Sequence, residues 1–333
     1  MTHLDRRLTT LALALVAAAP AIAVADQLHV PNQHATLQAA VTAASPGDVI
    51  LLKEGTYAGG DGVATLSAKH DLIVRGLGDV VIDAAGANVG IEIVNSLGVR
   101  VEGLRIRNAA VHGIEVVGSR GVLIDECEVR QSGAAGIDVT TSASVVVREC
   151  DVRKTGDTCI SLDAEASVIA ECKVKSANGT GLALLGRGST AIDNVVLDFK
   201  NTGILLAGTG NRAIANDVKT NTQQGMVVEG SDHLIEGNTL RAVIYVKADD
   251  SVLRDNEIKG SASGGMVLSA SASGNSIVEN RVSKATLHGF YIWGDDNTLI
   301  GNVTKKSGQY GLQFGSVATG NVRFSNKFDS VAP

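Results

Sequence analysis

The chain has 333 residues, with 29 Lys and Arg against 35 Asp and Glu, a net charge of −6 and only 3% aromatic residues. That acidic balance excludes a basic nucleic-acid-binding surface. No apolar run reaches the length of a membrane-spanning helix, so no membrane span is expected.

Residues 1–25 read as an export leader. Arg6 and Arg7 form a basic start, Leu8 to Val24 is apolar and small, and Ala23-Val24-Ala25 is a cleavage site. The expected location is the periplasm or the exterior. Residues 26–60 read as an N-terminal cap. Within it, 34–44 has helical spacing, with Leu37, Ala40 and Val41 on one face, and Ser45-Pro46-Gly47-Asp48 ends the helix. A strand restarts at 49–52 and Gly55-Thr56-Tyr57 turns the chain. An amphipathic helix is the element a stack of coils needs over its first sheet edge.

Residues 61–333 are organised by a repeat. Its marker is a small residue followed by alternating apolar positions: Gly90, Gly113, Gly136, Gly181, Gly203, Gly225, Gly265, Gly289 and Gly311, with Cys159 and Val243 in the two gaps. The intervals are 23, 23, 23, 22, 22, 22, 18, 22, 24 and 22 residues. A fixed period with period-2 alternation inside it predicts a solenoid of strands. After Gly113 the coil offers three short strands: Gly113 to Val116, Val122 to Ile124 and Glu128 to Arg130. The fold class is therefore all-β, a right-handed parallel β-helix with three-strand coils of about 22–23 residues and a short capping helix. No linker or charge run divides it, so one domain is expected.

One repeat position holds Cys127, Cys150 and Cys172, then Asn194, Asn216, Asn238, Asn256, Asn280, Asn302 and Asn326. Stacked inside a turn, the amides would hydrogen-bond along the column and the cysteines would act as small buried hydrophobes rather than disulfides.

The entry segments Leu37-Gln38-Ala39-Ala40-Val41, Pro46-Gly47-Asp48-Val49-Ile50-Leu51 and Gly55-Thr56-Tyr57, with the Gly-Ile-x-Val, Val-x-Ile and Cys/Asn units, resemble the pectin-lyase-like superfamily. The resemblance covers nearly the whole chain after the leader. It implies the fold, while the superfamily spans lyases, hydrolases, esterases, epimerases and non-enzymatic proteins. Gly136-Ile137-Asp138-Val139, Gly156-Asp157-Thr158-Cys159 and Gly179-Thr180-Gly181 resemble the layout of polygalacturonase-type hydrolases. Of the catalytic set that resemblance implies, only Asp157 is present, and inverting hydrolysis needs a pair of carboxyl groups. The chain also resembles periplasmic accessory β-helix proteins of copper-site assembly. Copper favours exposed Met, His or Cys, whereas this chain has three Met and inward-stacked Cys.

Three surface features carry the functional expectations. On the first strand the residue two after the marker points outward, which stacks Glu92, Glu115 and Asp138 on neighbouring coils about 4.8 Å apart. Such a stack either recruits a cation or is a solvated acidic stripe. In the first reading it is a Ca²⁺ site of Glu92, Glu115 and Asp138, and the catalytic candidates are His112, Glu115, Asp138, Asp157 and Lys154. A second column holds Arg107, Arg130, Arg153 and Lys175. It would fork onto the carboxylates of an anionic polysaccharide, or simply neutralise the acidic column Glu126, Glu149 and Glu171. Third, alternation leaves Tyr245, Tyr291 and Trp293 outward, where flat rings suit sugar faces or pack near an end. The combined expectation is an exported β-helix that binds an extended, anionic polysaccharide, with weak lyase activity if it is an enzyme. The alternative is a non-catalytic scaffold or accessory protein. The last coil carries Arg323, Phe324 and Phe328 and no closing helix, which predicts end-on self-association.

Overall fold

The computed structural model describes residues 25–219 and 224–333. The proposed leader, apart from its last residue, lies outside the described residues. The alternating segments form short parallel strands that stack coil upon coil, about 13 turns in all. The result is a right-handed parallel β-helix with, among the described residues, one α-helix near its N-terminal end.

Two hydrogen-bonded surfaces result. A narrow sheet of 12 strands collects the first strand of each coil, from Ala64–Ser67 to Leu312–Phe314. A wide sheet of 23 strands collects the second and third strands. These two are continuous in the early coils, as in Val49–Ala58, Ile73–Asp83 and Arg100–Arg107. From Leu123–Asp125 and Glu128–Arg130 onward a turn separates them. The residue before each Cys/Asn position makes that turn. Glu126, Glu149, Glu171, Asp193, Asp255 and Glu279 all take left-handed φ between 50° and 55°, and Gly237 and Gly301 occupy the same place in other coils. The predicted acidic column is thus a backbone corner, and its Glu149 meets Arg148 at 3.5 Å rather than the basic column.

The cap is shorter than the predicted 34–44. The helix, α1, spans Leu37–Ala43, and the Thr36 hydroxyl caps it by accepting from the Ala39 N–H at 3.1 Å. Leu37, Ala40 and Val41 are buried against the first coil, the face that the spacing predicted. Asp48 closes the following turn by accepting from the backbone N–H groups of Ser45 and Asp26 at 2.8 and 2.9 Å.

The marker glycines are a steric requirement. A Cβ at Gly113 or Gly136 would stand 2.2 Å from Cγ1 of Val129 or Val152, the third-strand valines of the same coils. Cys159, which fills the marker place one coil later, directs its thiol toward Thr155 and the carbonyls of Val152 and Lys175.

Inside the first turn the expected amide column is present. Asn216 accepts at Oδ1 from the N–H and Nδ2 of Asn194, and donates from its own N–H and Nδ2 to Asn238 Oδ1 at 2.9 Å. The pattern continues through Asn256, Asn280 and Asn302 to Asn326. Cys127, Cys150 and Cys172 continue it N-terminally as free, buried thiols. Hydrogen bonding with Cys127 and Cys172, together with burial, pushes the Cys150 thiol well above its usual range, so it stays protonated.

A second ladder, at the turn that follows the first strand, was not read from the sequence. Ser96, Ser119 and Ser142 form its N-terminal part, and Ser167, Ser189, Asn211, His233, Ser251, Asn275, Asn297 and Asn321 continue it. Each side chain accepts from a backbone N–H of the coil before. The mixture of Ser, Asn and one His hid the period. What the position demands is an acceptor, and several side chains supply one.

His233 makes this ladder pH-sensitive. Its Nδ1 accepts from the Asn211 N–H at 3.1 Å, and its Nε2 lies 2.8 Å from the Glu229 carbonyl, so the proton sits on Nε2. Burial lowers its pKa below 6.5, while the Glu229 carbonyl and the Asp232 charge oppose that shift. A depressed folded pKa contributes stability that is present above 6.5 and is lost as pH falls through the folded value. The denaturation midpoint is therefore expected to drop between pH 7 and pH 5. His233→Asn, which keeps an acceptor, should flatten that drop; an unchanged slope in this variant would rule the mechanism out.

Candidate functional site on the narrow sheet

The outer face of the narrow sheet carries the predicted column in register. Thr65 pairs with Glu92, Glu92 with Glu115, and Glu115 with Asp138, each on the neighbouring coil. Donor atoms of His112, Glu115 and Asp138 lie within 4.8 Å of one another, and all three residues are half-buried. His112 opens the same strand as Glu115, and its Nδ1 is buried without a hydrogen-bond partner. Glu92 instead accepts from the Thr65 hydroxyl at 2.8 Å, and it stands outside the donor group.

The N-terminal cap turns this column into a cavity. Gln38 of α1 exchanges hydrogen bonds with the Thr65 backbone, accepting from its N–H at 2.8 Å. With Gly60, Asn88, Val111 and His112 it bounds a hollow of about 600 Å³ over Glu92 and Glu115. Sequence reasoning placed the acids but missed the Gln38 wall. Only the docking of α1 against the first narrow-sheet strand brings Gln38 to the site.

The other predicted residues are distributed elsewhere. Lys154 takes a left-handed φ of 58° at the corner between third and first strands. There it borders a different hollow with Gln131, Ser132 and Asn178. Asp157 lies in the following turn, where its carbonyl accepts from the Thr155 hydroxyl and the Gly179 N–H. Neither belongs to the His112 donor group.

Arg107, Arg130, Arg153 and Lys175 stack in register on the third strands of the wide sheet, not on the narrow-sheet face. Each is ion-paired. Arg107 bonds Asp83 at 2.9 Å, Arg130 and Arg153 share Glu128, Arg153 also meets Asp151 at 2.9 Å, and Lys175 lies 3.5 Å from Asp198. A hydrogen bond from Asn108 and the Arg107 contact hold the Asp83 carboxyl below its ordinary range. The partners come from outward positions of the third strands and the corner beyond, and not from the acids before the Cys/Asn turn.

Tyr245 and Tyr291 project from the narrow sheet two coils apart and line a hollow of about 300 Å³ with His288. Trp293 lies beside Tyr291, with ring centroids 4.9 Å apart.

These features define a class. The chain is a right-handed parallel β-helix protein. A family model described as "right handed beta helix region" matches residues 89–240, and one described as "periplasmic copper-binding protein (NosD)" matches residues 186–332. No curated protein matches the chain by sequence. Among solved structures it is similar to a PL6 alginate lyase in complex with a trisaccharide, at 12% identity and a TM-score of 0.67, over 91% of this chain and 85% of that one. It is similar to PfbA, a surface adhesin of Streptococcus pneumoniae, at 13% identity and a TM-score of 0.64, over 77% and 87%. It is also similar to the A-module of the Azotobacter vinelandii mannuronan C-5 epimerase AlgE4, at 16% identity and a TM-score of 0.55, over 86% and 89%. Identities this low establish the fold alone. Among the described residues, no helix is long and apolar enough to cross a membrane.

Proposed function

We propose that the protein is exported and binds an extended acidic polysaccharide along the outer face of the narrow sheet, with a divalent cation held by His112, Glu115 and Asp138. The observation that carries this reading is the convergence of one imidazole and two carboxylates within 4.8 Å, beside a hollow of about 600 Å³. One nitrogen and two oxygen donors fit a borderline ion such as Zn²⁺ or Cu²⁺ better than Ca²⁺, which prefers an all-oxygen shell. A cation bound there would neutralise a sugar carboxylate. Gln38 and Asn88 would contact its hydroxyls, and Glu92, held by Thr65, would bound the site on the N-terminal side.

The similarity to an alginate lyase and a mannuronan epimerase supports a uronan as the ligand class. The lyase reading needs a base, and a His112 engaged with a cation could not serve as one, so binding is the function proposed. A second reading, an accessory periplasmic protein of copper handling, is supported by the NosD match over 186–332.

Retention on alginate and polygalacturonate affinity gels, with Ca²⁺, Mn²⁺, Zn²⁺ or Cu²⁺ added separately, tests both. The expected result is cation-dependent retention that weakens about tenfold or more in Glu115→Ala with Asp138→Ala, equivalent to about 1.4 kcal/mol or more. Retention unaffected by chelator and by the double variant would refute the cation site. Copper binding with no retention on either polymer would favour the accessory reading.

A further inference from the structure

Beyond the acidic cluster the outward column of the narrow sheet changes character. From Asp138 it runs through Ser161, Ala183, Leu205, Val227, Tyr245 and Val267 to Tyr291. Eight register steps separate Glu115 from Tyr291, or about 38 Å at strand spacing. The carboxylates are gone, and an apolar strip leads to aromatic rings.

Between Tyr245 and Tyr291 the face sinks into the hollow of about 300 Å³, with Val267 between the two rings in the column and Leu287, His288 and Ser263 on the lining. No Asp, Glu, Lys or Arg lines it. His288 is 8% exposed, and its Nδ1 is buried with no hydrogen-bond partner. Its ring lies parallel to Tyr310, 5.9 Å away, and is tilted 4.9 Å from Tyr291. Burial lowers its pKa, which keeps the imidazole neutral. Tyr291 is also supported from the other side. Trp293 lies across Gly315, where a Cβ would come within 2.4 Å of the indole, and its ring meets Tyr291 at 4.9 Å. The platform is therefore held in place before any ligand arrives.

His288 is one of six described residues with a buried side-chain nitrogen or oxygen that has no partner, and its ring borders this hollow. Aromatic walls suit the axial C–H face of a sugar ring, and a neutral imidazole and a serine suit its hydroxyls. No cation lines the hollow, and Lys247, which lies 5.6 Å from the Tyr245 ring centroid, is already bound to Glu229 at 2.7 Å, so a carboxylate would be desolvated there without a free partner.

We infer that this hollow is a second carbohydrate subsite, selective for an uncharged pyranose unit, in which a ring stacks between Tyr245 and Tyr291 and a hydroxyl bonds to the His288 imidazole. The inference rests on the reading of this sheet face as the polysaccharide-binding surface, but it assigns different residues and a different sugar chemistry.

Trp293 is the only tryptophan of the chain, and its emission reports on Tyr291 directly. Titrating the protein with cellohexaose, mannohexaose, xylohexaose and hexagalacturonate should give a saturable change in emission with at least one neutral probe. Hexagalacturonate should be at least tenfold weaker. Tyr291→Ala and Tyr245→Ala, on different coils, should each weaken the response about tenfold, whereas Glu115→Ala with Asp138→Ala should leave it unchanged. No saturable response to any neutral probe, equal binding of hexagalacturonate, or an undiminished response in both tyrosine variants would overturn the assignment. If gel retention persists while the emission response is absent, the subsite alone fails. If the emission response persists while cation-dependent retention is absent, the acidic site alone fails.

Discussion

Asn238→Leu is expected to destabilise the folded chain by about 3–5 kcal/mol, as a fall in the urea midpoint. Asn238 is fully buried. Its Oδ1 accepts from both the N–H and the Nδ2 of Asn216 at 2.9 Å. Its Nδ2 reaches the Ala213 carbonyl at 2.8 Å and Asn256 Oδ1 at 2.9 Å. Leucine is close in volume but can replace none of these bonds. The Asn216 N–H would be buried unpaired and the Ala213 carbonyl would lose a donor, at about 1–3 kcal/mol each before relaxation, while Asn216 Nδ2 would keep only the Ala191 carbonyl at 3.0 Å. The apolar gain offsets only part of this, because the position lies inside a turn whose backbone groups face inward. Asn238→Ser should lose less, since a hydroxyl still accepts from the Asn216 N–H, as serine does at Ser119 in the other ladder. Equal losses for leucine and serine would show that the amide column does not bear the stability assigned to it.

Gly136→Val is expected to be comparably damaging, about 3 kcal/mol, for a steric rather than a polar reason. The first and third strands approach closely at the marker place. A Cβ at Gly136 would sit 2.2 Å from Val152 Cγ1, 2.8 Å from the Cys159 carbonyl oxygen and 3.2 Å from Thr155 Cγ2. A short branched valine buried in the core cannot swing aside as a surface side chain can, and the carbonyl belongs to the ladder of the next coil. Relief must come from shifting strands, which disturbs the register on both neighbours. Gly136→Val with Val152→Ala removes the worst contact and should recover part of the loss. If the single variant denatures at the wild-type midpoint, the close approach is not the reason for glycine here.

The candidate site was only partly legible in the sequence, and the reason is geometric. Glu92, Glu115 and Asp138 fall in one column because strand alternation and a constant coil length force it, and both are visible in the residues. His112 was visible as a neighbour of that column, but its place in the donor group depends on the direction its ring takes from the start of the strand. Gln38 was invisible in this role, since it belongs to another element separated by 27 residues from its partner Thr65. Lys154 and Asp157 end the coil that Asp138 opens. They leave the site because the corner between third and first strands turns their backbone away from the narrow sheet.

The sequence by itself determined the repeat, the inward and outward sides of every strand, the Cys/Asn column and the amphipathic face of the cap. Each of these follows from a local period acting on a polymer whose side chains alternate. Tertiary structure alone decided which charges meet. The basic column pairs with Asp83, Glu128, Asp151 and Asp198, while Glu149, on a left-handed corner, meets Arg148. It also decided that the Ser, Asn and His side chains of the second turn form one ladder, and that α1 closes a wall over the acidic column. Those outcomes depend on the angles at corners and on the docking of separate elements. A one-dimensional pattern carries no direct record of either.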